Sequence, residues 1–334
     1  MAKIRSHVGE SRIGQLKCRF HYAITAAVIA IGFGEVASSY AAPANNTLPM
    51  LSHGMGLEPP TPADFAGHPS IKMRGRDATR PDRLVLDEYL PPIADQGNTQ
   101  SCVGWCTAYY CFTATVAHRL RLPSKRRADP HFIFSPAFIW SQFNHGDPHC
   151  GMRIAQALDI LATQGCSTID LMPWDPAHVG AHPSKEAVDR ARRFKARQPF
   201  CLFKGISHGD APNPEMLKTW LWEKKQPFVI GIYVYDDFLN VPHTPNYVYS
   251  RPSKGYLSGH AVCIIGYDDT KKAFRAVNSW SSAWGDEGFV WISEEYLRKY
   301  STEGWGIIPG GPVARGPEND PSEEHLIVVE PGQD

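Results

Sequence analysis

The sequence predicts an α+β fold of two lobes, with helices first along the chain and strands after them. After residue 102, apolar side chains recur at three- and four-residue steps, which is the spacing of an amphipathic helix. Residues 227–234 are a short, branched apolar run typical of a buried strand, and 261–265, 273–277 and 289–292 continue as short strands separated by turn residues. Because helices and strands grouped in this way form separate layers, we expect a helical lobe, a sheet lobe and an active site in the cleft between them.

The composition is that of a globular chain without a strongly charged partner. The 334 residues include 34 basic and 34 acidic side chains, and hydrophobic residues make up 43 %, enough for a substantial core. A balanced charge gives no field that would draw the chain to nucleic acid or to an anionic membrane surface. The sequence gives no support for a metal or an organic cofactor, and it sets no oligomeric state.

The first residues have the features of a secretory signal peptide. Basic residues before position 20 are followed by an apolar run, 22–34, and by small residues at Ser39 and Ala41. A retained membrane anchor would need ~20 apolar residues, more than this run provides. We therefore expect cleavage after Ala41, a secreted or periplasmic protein, and no stable membrane anchor once residues 1–41 are removed.

Residues 42–82 are rich in proline and glycine, show no sustained periodicity, and are interpreted as a linker or a short pro-segment. Proline costs ~3 kcal/mol in a helix interior, so these residues should not form a helical domain. Few apolar contacts would offset the ordering of an extended segment in a cleft. We therefore expect weak autoinhibition: a chain beginning near Pro81 should match the longer one within about tenfold, or ~1.4 kcal/mol. The main domain then spans 83–308, and 309–334 is interpreted as a flexible tail.

Several helix boundaries carry their own signals. The central helix should run over about 101–120. A second helix should begin with Ser135 as its N-cap and Pro136 in its first turn. Apolar residues from Ile154 onward form a helix face that ends at Gly165. The charged stretch 183–198 is interpreted as a solvated surface helix rather than as a nucleic-acid site.

The loop from Gln96 to Cys102 contains the first candidate for chemistry. Its intervening residues are small or polar, and the cysteine lies where the loop meets the central helix. Backbone N–H groups and the positive end of the helix dipole would favour the thiolate there, which is the nucleophilic form of the side chain. The same cysteine could instead be a buried structural residue, the commonest role of a lone free Cys. This loop alone does not separate the two interpretations.

Two later motifs favour the nucleophile. Residues 258–262, Ser-Gly-His-Ala-Val, open an apolar strand, and Asn278-Ser279-Trp280 is followed by Trp284 and Gly288. In this order, and with the Gln-to-Cys spacing of the first loop, the three motifs resemble those of the papain-like cysteine peptidases over roughly residues 83–308. The resemblance implies a two-lobed fold with an antiparallel, β-barrel-like second lobe. It also implies a hydrolase that acts on protein or peptide substrates without a cofactor.

The resemblance also implies roles for individual residues. Cys102 would be the nucleophile and His260 the general base, Asn278 would orient the imidazole, and Gln96 would stabilise the oxyanion together with the backbone N–H of Cys102. The substrate-binding side of the cleft would be formed by Gly151, Gly259 and Trp280, and Trp280 would also shield the Asn–His hydrogen bond from water.

Four residues depart from the family pattern. Thr99 stands where a disulfide cysteine is usual, Gln100 and Ser281 replace glycines, and Val103 replaces an aromatic residue. Cys102 lies 158 residues before His260 and 176 residues before Asn278, against about 130–150 in the typical family spacing. We expect the additional residues to be surface insertions. Two alternatives therefore stay open: a catalytically silent relative that binds peptides, and another Cys–His acyl-transfer enzyme such as an amidase or transglutaminase.

The remaining cysteines suggest one disulfide. With Cys18 lost in the signal peptide and Cys102 reactive, six cysteines are left for an oxidising compartment. The sequence allows many pairings, of which Cys166 with Cys201 is preferred because the two flank one excursion of the chain. Cys106 and Cys263 are expected to be reduced core residues.

Overall fold

A computed structural model of the chain describes residues 53–71, 79–253 and 255–310. These residues form the two predicted lobes. One hydrophobic cluster surrounds the central helix, and a second lies on the other side of the sheet. The predicted signal peptide, 1–41, lies outside the described residues, and so does the predicted tail beyond Gly310.

Helices supply most of the first lobe. Within the described residues they are Pro62–Ala66 (α1), Cys102–Gly104 (α2), Thr113–Arg119 (α3), Pro136–Trp140 (α4), Ile154–Thr163 (α5), Lys185–Ala191 (α6), Pro214–Lys224 (α7) and Glu294–Tyr300 (α8). Short 3₁₀ turns lie at Asp87–Tyr89, Ser124–Arg126, Pro130–Phe132, Ile206–His208 and Asp236–Asn240. The Ser135 hydroxyl accepts a hydrogen bond from the Phe138 N–H at 3.1 Å, which confirms the predicted cap of α4. None of the helices in the described ranges is both long and apolar enough to cross a membrane.

The central helix covers residues 102–119, close to the predicted range, but it is not a regular α-helix. Between α2 and α3 lies a π-helical stretch, Trp105–Phe112, all of whose residues are buried. The Thr113 hydroxyl donates to the Ala108 carbonyl, five residues earlier, at 3.2 Å. Stretches of π-helix are rare and frequently lie at functional sites. This one begins three residues after Cys102.

The strands form one sheet in which the histidine motif is central. They are Arg83–Val85 (β1), Ala196–Phe203 (β2), Phe228–Tyr235 (β3), Val248–Tyr249 (β4), Tyr256–Asp268 (β5), Ala273–Val277 (β6), Phe289–Ser293 (β7) and Ser301–Pro309 (β8). The order is β2-β8-β3-β5-β6-β7-β4, with β1 also paired to β5. The pair β4–β7 is parallel and the other pairs are antiparallel. His260, opposite Ile232, therefore lies on a strand with neighbours on both sides.

The predicted surface helix over 183–198 is correct only in its first half. Helix α6 ends at Ala191, and β2 begins at Ala196. Phe194 and Ala196 are buried, at 6 % and 3 % exposure, so the end of this stretch packs on the core instead of continuing as a solvated helix.

The predicted disulfide between Cys166 and Cys201 is wrong. Both residues are free and buried. The Cys166 thiol lies 3.5 Å from the Ser135 carbonyl and 3.4 Å from the Ser167 carbonyl. Cys106 and Cys263 are free and buried, as predicted. The pairing failed because sequence separation alone does not bring two Cβ atoms into bonding geometry.

Candidate active site

Cys102 begins the central helix and lies between the lobes, where α2 contacts β5. The side chain is fully buried. The backbone N–H groups of Ala261, on β5, and of Gly56 face its sulfur. The predicted nucleophile is therefore next to the residue that follows His260.

Gln96 is buried, and both ends of its amide are held. Its Nε2 donates to the Thr99 carbonyl at 2.7 Å and to the Gly54 carbonyl at 2.9 Å, while its Oε1 accepts from the Ser279 hydroxyl at 2.6 Å. The backbone N–H of Gln96 also donates to the Ser279 carbonyl at 2.9 Å. By donating to Oε1, Ser279 fixes the amide so that its N–H groups face the carbonyls of Thr99 and Gly54.

Thr99 holds the loop in place of the expected bridging cysteine. Its hydroxyl donates to the Gln96 carbonyl at 2.8 Å and lies 2.7 Å from the Ser101 hydroxyl. The loop between glutamine and nucleophile is therefore closed by short-range hydrogen bonds rather than by a disulfide.

His260 and Asn278 form a buried pair. The His260 Nε2 lies 2.8 Å from Asn278 Oδ1, which also accepts the Ser279 N–H at 2.8 Å. Because an amide oxygen only accepts, Nε2 carries the proton and the other ring nitrogen, Nδ1, is left as the base. Within the described ranges Nδ1 has no hydrogen-bond partner. Trp280 covers the pair, its ring centroid 4.6 Å from that of His260.

Residues 53–58, which we call the strap, run through this site as an extended segment. The Met152 N–H donates to the Gly56 carbonyl at 2.9 Å, and the Glu58 N–H donates to the Met152 carbonyl at 3.1 Å. On the opposite side, the Leu57 N–H donates to the Gly259 carbonyl at 3.4 Å. The strap is therefore hydrogen-bonded to both walls of the cleft, with Cys102 beneath it.

Side chains fasten the strap at both ends. The ring of His53 stacks on Trp280, with centroids 4.9 Å apart and planes at 11°. At the other end Arg153 pairs with Glu58 at 3.6 Å and with Asp64 of α1 at 3.0 Å. Beyond these contacts Met55, Leu57 and Phe65 are buried, at 3 %, 7 % and 7 % exposure.

These contacts correct the expectation of a weakly held segment. Residues 53–71 are held by hydrogen bonds, ion pairs and buried side chains, and the choice between a linker and a short pro-segment for 42–82 stays a prediction. Its later end is anchored as well, since the buried Arg80 lies 2.9 Å from Asp269. Apolar contacts are not few in the described part of this segment, because the alternation Gly54-Met55-Gly56-Leu57 brings the backbone against the cleft and buries each second side chain.

Burial under the strap reverses the ionisation expected for the nucleophile. It raises the pKa of Cys102 to about 11, although the N–H groups of Ala261, Gly56 and the helix start act in the opposite direction. Burial likewise lowers the pKa of His260 to about 4; the hydrogen bond to Asn278 opposes this and the nearby His53 adds to it. With the strap seated, the thiol and the imidazole are both neutral.

We expect the alkylation of Cys102 by iodoacetamide to be slow at neutral pH and to rise about tenfold per pH unit, since only the thiolate reacts and its pKa is about 11. Peptide mass spectrometry after timed labelling gives the rate at each pH. A rate that levels off between pH 4 and 7 in the unaltered chain would contradict a protonated thiol under a seated strap.

The three residues assigned to substrate binding all touch the strap. A Cβ on Gly151 would lie 2.3 Å from the Gly56 carbonyl oxygen, and one on Gly259 would lie 2.7 Å from that of Leu57. The Trp280 Nε1 donates to the Gly54 carbonyl at 3.1 Å. The two glycines therefore let an extended backbone lie close to both walls.

Three groups at the site were missed from sequence. The strap could have been suspected from its alternating glycines, and Ser279 from its place between Asn278 and Trp280. Glu303 of β8 carried no signal: it is fully buried near the Leu57 side chain, accepts from the Trp305 Nε1 at 2.6 Å, and burial raises its pKa to about 8.

Sequence comparison relates the chain to known proteins. The model of the papain family of cysteine proteases matches residues 145–304, a range that contains His260 and Asn278 and begins after Cys102. The chain is 26 % identical over 228 residues to an uncharacterized peptidase C1-like protein of Acanthamoeba polyphaga mimivirus, covering 64 % of this chain and 68 % of that protein. It is 27 % identical over 220 residues to the cathepsin B-like CP3 of Giardia intestinalis, covering 62 % and 66 %. It thus spans about two thirds of the length of these relatives.

Solved structures show the same fold. Xylellain, a cysteine protease from Xylella fastidiosa, superposes with a TM-score of 0.61 and 22 % identity over 79 % of this chain and 99 % of that one. The procathepsin B S9 of Trypanosoma congolense gives a TM-score of 0.57 and 17 % identity over 78 % and 88 %. At these identities the likeness establishes a papain-like α+β fold and leaves the residue roles to be argued from the site itself.

Proposed function

We propose that the chain is a cysteine peptidase of the papain family, and that it hydrolyses peptide bonds with Cys102 as nucleophile, His260 as general base, Asn278 as the residue that orients the imidazole, and Gln96 as an oxyanion donor. Secretion to the periplasm or the medium is part of the proposal and rests on the sequence of residues 1–41 alone. The expected partner is a protein or peptide substrate.

One observation carries this proposal: the Gln96 Nε2 donates at 2.9 Å to a peptide carbonyl, that of Gly54, which lies in the cleft near the nucleophile. An oxyanion hole needs a fixed donor at this distance from the oxygen that gains charge. The bond to a strap carbonyl supports the proposed role of the Gln96 amide, and the Ser279 hydroxyl fixes that amide by donating to its Oε1.

The proposed reaction uses only groups of this chain and water. His260 Nδ1 takes the Cys102 proton as the sulfur bonds to the carbonyl carbon, and the carbonyl electron pair moves onto the oxygen beside Gln96. The imidazolium then gives its proton to the departing amine. A water molecule, deprotonated by the same nitrogen, cleaves the thioester and restores the thiol. Asn278 keeps Nε2 occupied throughout, so that Nδ1 faces the reaction.

The strap supports a latent form of the enzyme. A substrate backbone needs the carbonyl of Gly259, the backbone of Met152 and the Gln96 amide, and the strap uses all three. We therefore include in the proposal that residues 53–58 must leave the cleft before a substrate can bind.

The proposal is tested with an epoxysuccinyl inhibitor and a peptide substrate, using chains with and without a seated strap. Stoichiometric labelling of Cys102, found by peptide mass spectrometry, together with peptide hydrolysis supports it. Labelling without hydrolysis of any peptide in a mixed library, but with release of ammonia from amides, would favour an amidase. Neither labelling nor hydrolysis after the strap is displaced would favour a silent peptide-binding relative.

Replacing Gln96 with alanine should lower kcat by roughly 10²–10³ with a smaller change in KM, as for the loss of one oxyanion donor. Steady-state kinetics on one peptide gives both constants. The exposed Gln198 on β2 provides a matched control, since Gln198→Ala removes the same amide far from the nucleophile. An unchanged kcat in Gln96→Ala would reduce Gln96 to a residue that only shapes the loop.

A further inference from the structure

A surface pocket on the helical lobe, away from the catalytic groups, has no role in the proposed reaction. It has a volume of about 320 Å³ and is lined by Phe138, Thr163, Gln164, Val188, Arg192 and Lys195. Phe138 and the half-buried Val188 supply an apolar floor, and both belong to or pack on the core cluster of this lobe. The exposed Arg192, which pairs with Asp189 at 2.8 Å, and the exposed Lys195 supply a cationic rim. Such a pocket suits a short apolar segment that carries acidic flanks.

The chain leaves the described structure beside this pocket. The Gly310 N–H donates to the carbonyl of Lys195, a residue of the rim, at 2.7 Å. Arg119 holds the same end by donating to the Pro309 carbonyl at 2.8 Å. Residues 311–334 therefore start within a few residues' reach of the pocket. A short flexible linker gives a tethered segment an effective concentration on the order of millimolar at a nearby site. Weak contacts are then enough to hold the segment in the pocket.

The basic stretch 190–197 at the pocket and the residues 311–334 carry opposite charges. Five of the eight residues 190–197 are basic, and none of the eight is acidic. The stretch 311–334 contains six acidic residues and one basic residue, although the whole chain has a net charge of +0. Residues 326–329, Leu-Ile-Val-Val, are the apolar run of this stretch, and they lie between Glu324 and Glu330. An apolar run flanked by acids is what the floor and the rim of the pocket would recognise.

We propose that residues 326–329 dock into this pocket of their own chain, with Glu324 and Glu330 against the Arg192–Lys195 rim. The intervening residues 311–325 could extend over roughly 50 Å, far more than the distance to a pocket that Gly310 already borders, so the chain can turn back on itself. Docking would cover the apolar floor and neutralise the basic stretch 190–197.

The test uses the full chain carrying Cys102→Ala, which prevents self-digestion, and a carbodiimide that joins amines to carboxylates without a spacer. We expect cross-links between Lys195 and Glu324 or Glu330 within one chain. Lys272, exposed at the turn between β5 and β6, is the comparison lysine. Equal coupling of the acidic residues to Lys195 and Lys272 would overturn the proposal, and so would coupling found only between two chains.

Proximity to Gly310 could by itself favour Lys195, so a second variant separates tethering from docking. Leu326→Ser with Ile327→Ser keeps the tether, every charge and the folded domain, but removes the apolar contacts. If the segment docks, this variant should cut the Lys195 cross-link about tenfold, and hydrogen exchange at 326–329 should become about tenfold faster. An unchanged yield and unchanged exchange would show that the residues are merely close to the pocket.

Discussion

Replacing Cys102 with alanine is expected to abolish peptide hydrolysis, by at least about 10⁴-fold, while the fold remains intact. In the proposed mechanism the thiol is the side chain that forms a covalent bond to the substrate, and removing one buried sulfur costs about 1 kcal/mol of packing. His260→Ala should be about as severe, because nucleophile and base act as a unit and the loss of either stops the first step.

The assay for these variants should use a chain whose strap is displaced, because masking would otherwise hide the difference. Initial rates on a fluorogenic peptide and a circular-dichroism melt are compared for each variant. Cys106→Ala is the matched control: Cys106 is also a free, buried thiol, one helical turn further on, and has no part in the proposed chemistry. Substantial turnover in Cys102→Ala or in His260→Ala would rule out the assigned pair.

Displacing the strap is expected to raise kcat/KM by on the order of 10³ or more. Met55 and Leu57 are buried in the seated strap, and each such side chain contributes about 1.5–3 kcal/mol, so about 4 kcal/mol of masking is expected from them together. This reverses the sequence-based expectation of less than about tenfold, which assumed that the segment had few apolar contacts.

Two glycines allow this test without deleting any residue. A Cβ at Gly54 would lie 1.8 Å from the Thr99 carbonyl oxygen, and one at Gly56 would lie 2.0 Å from that of Gln100. Both oxygens belong to the backbone of the loop before the nucleophile, so Gly54→Ala with Gly56→Ala should expel the strap. Gly67→Ala is the matched control, since a Cβ there meets nothing within 4 Å. Equal kcat/KM values for the unaltered chain, the double variant and the control would show that the strap does not mask the site.

The extent to which the fold could be predicted depended on whether the signal was local. The cap at Ser135, the buried strand β3 and the meander from β5 to β7 were predictable because capping chemistry and apolar periodicity act over a few residues. The π-helical stretch was not, because its register is imposed by packing around Trp105–Phe112 rather than by any one residue type. The pairing of Cys166 with Cys201 failed for a related reason, since it needed a distance between two elements.

The candidate site divides in the same way. The motifs around Cys102, His260 and Asn278 could be located because each has a fixed local spacing. The strap was missed because proline and glycine gave its segment the appearance of a linker; its alternating glycines were a signal, but the walls that hold it come from residues more than forty positions away. The ionisation state of Cys102 was mispredicted because the strap was missed. A helix start favours the thiolate, but burial beneath residues 53–58 outweighs this effect and raises the pKa.

The six free thiols of the described residues are all buried, so their reactivity reports how this part of the protein opens. Cys102 is covered by the strap, whereas five further thiols are enclosed by the core cluster around the central helix: Cys106, Cys111, Cys166, Cys201 and Cys263. A small thiol reagent should therefore meet one sulfur when only the strap lifts, and the other five when the domain itself comes apart. Counting the labels on these residues against time would separate the free energy of uncovering the cleft from the free energy of unfolding, in a single sample and with a single reagent.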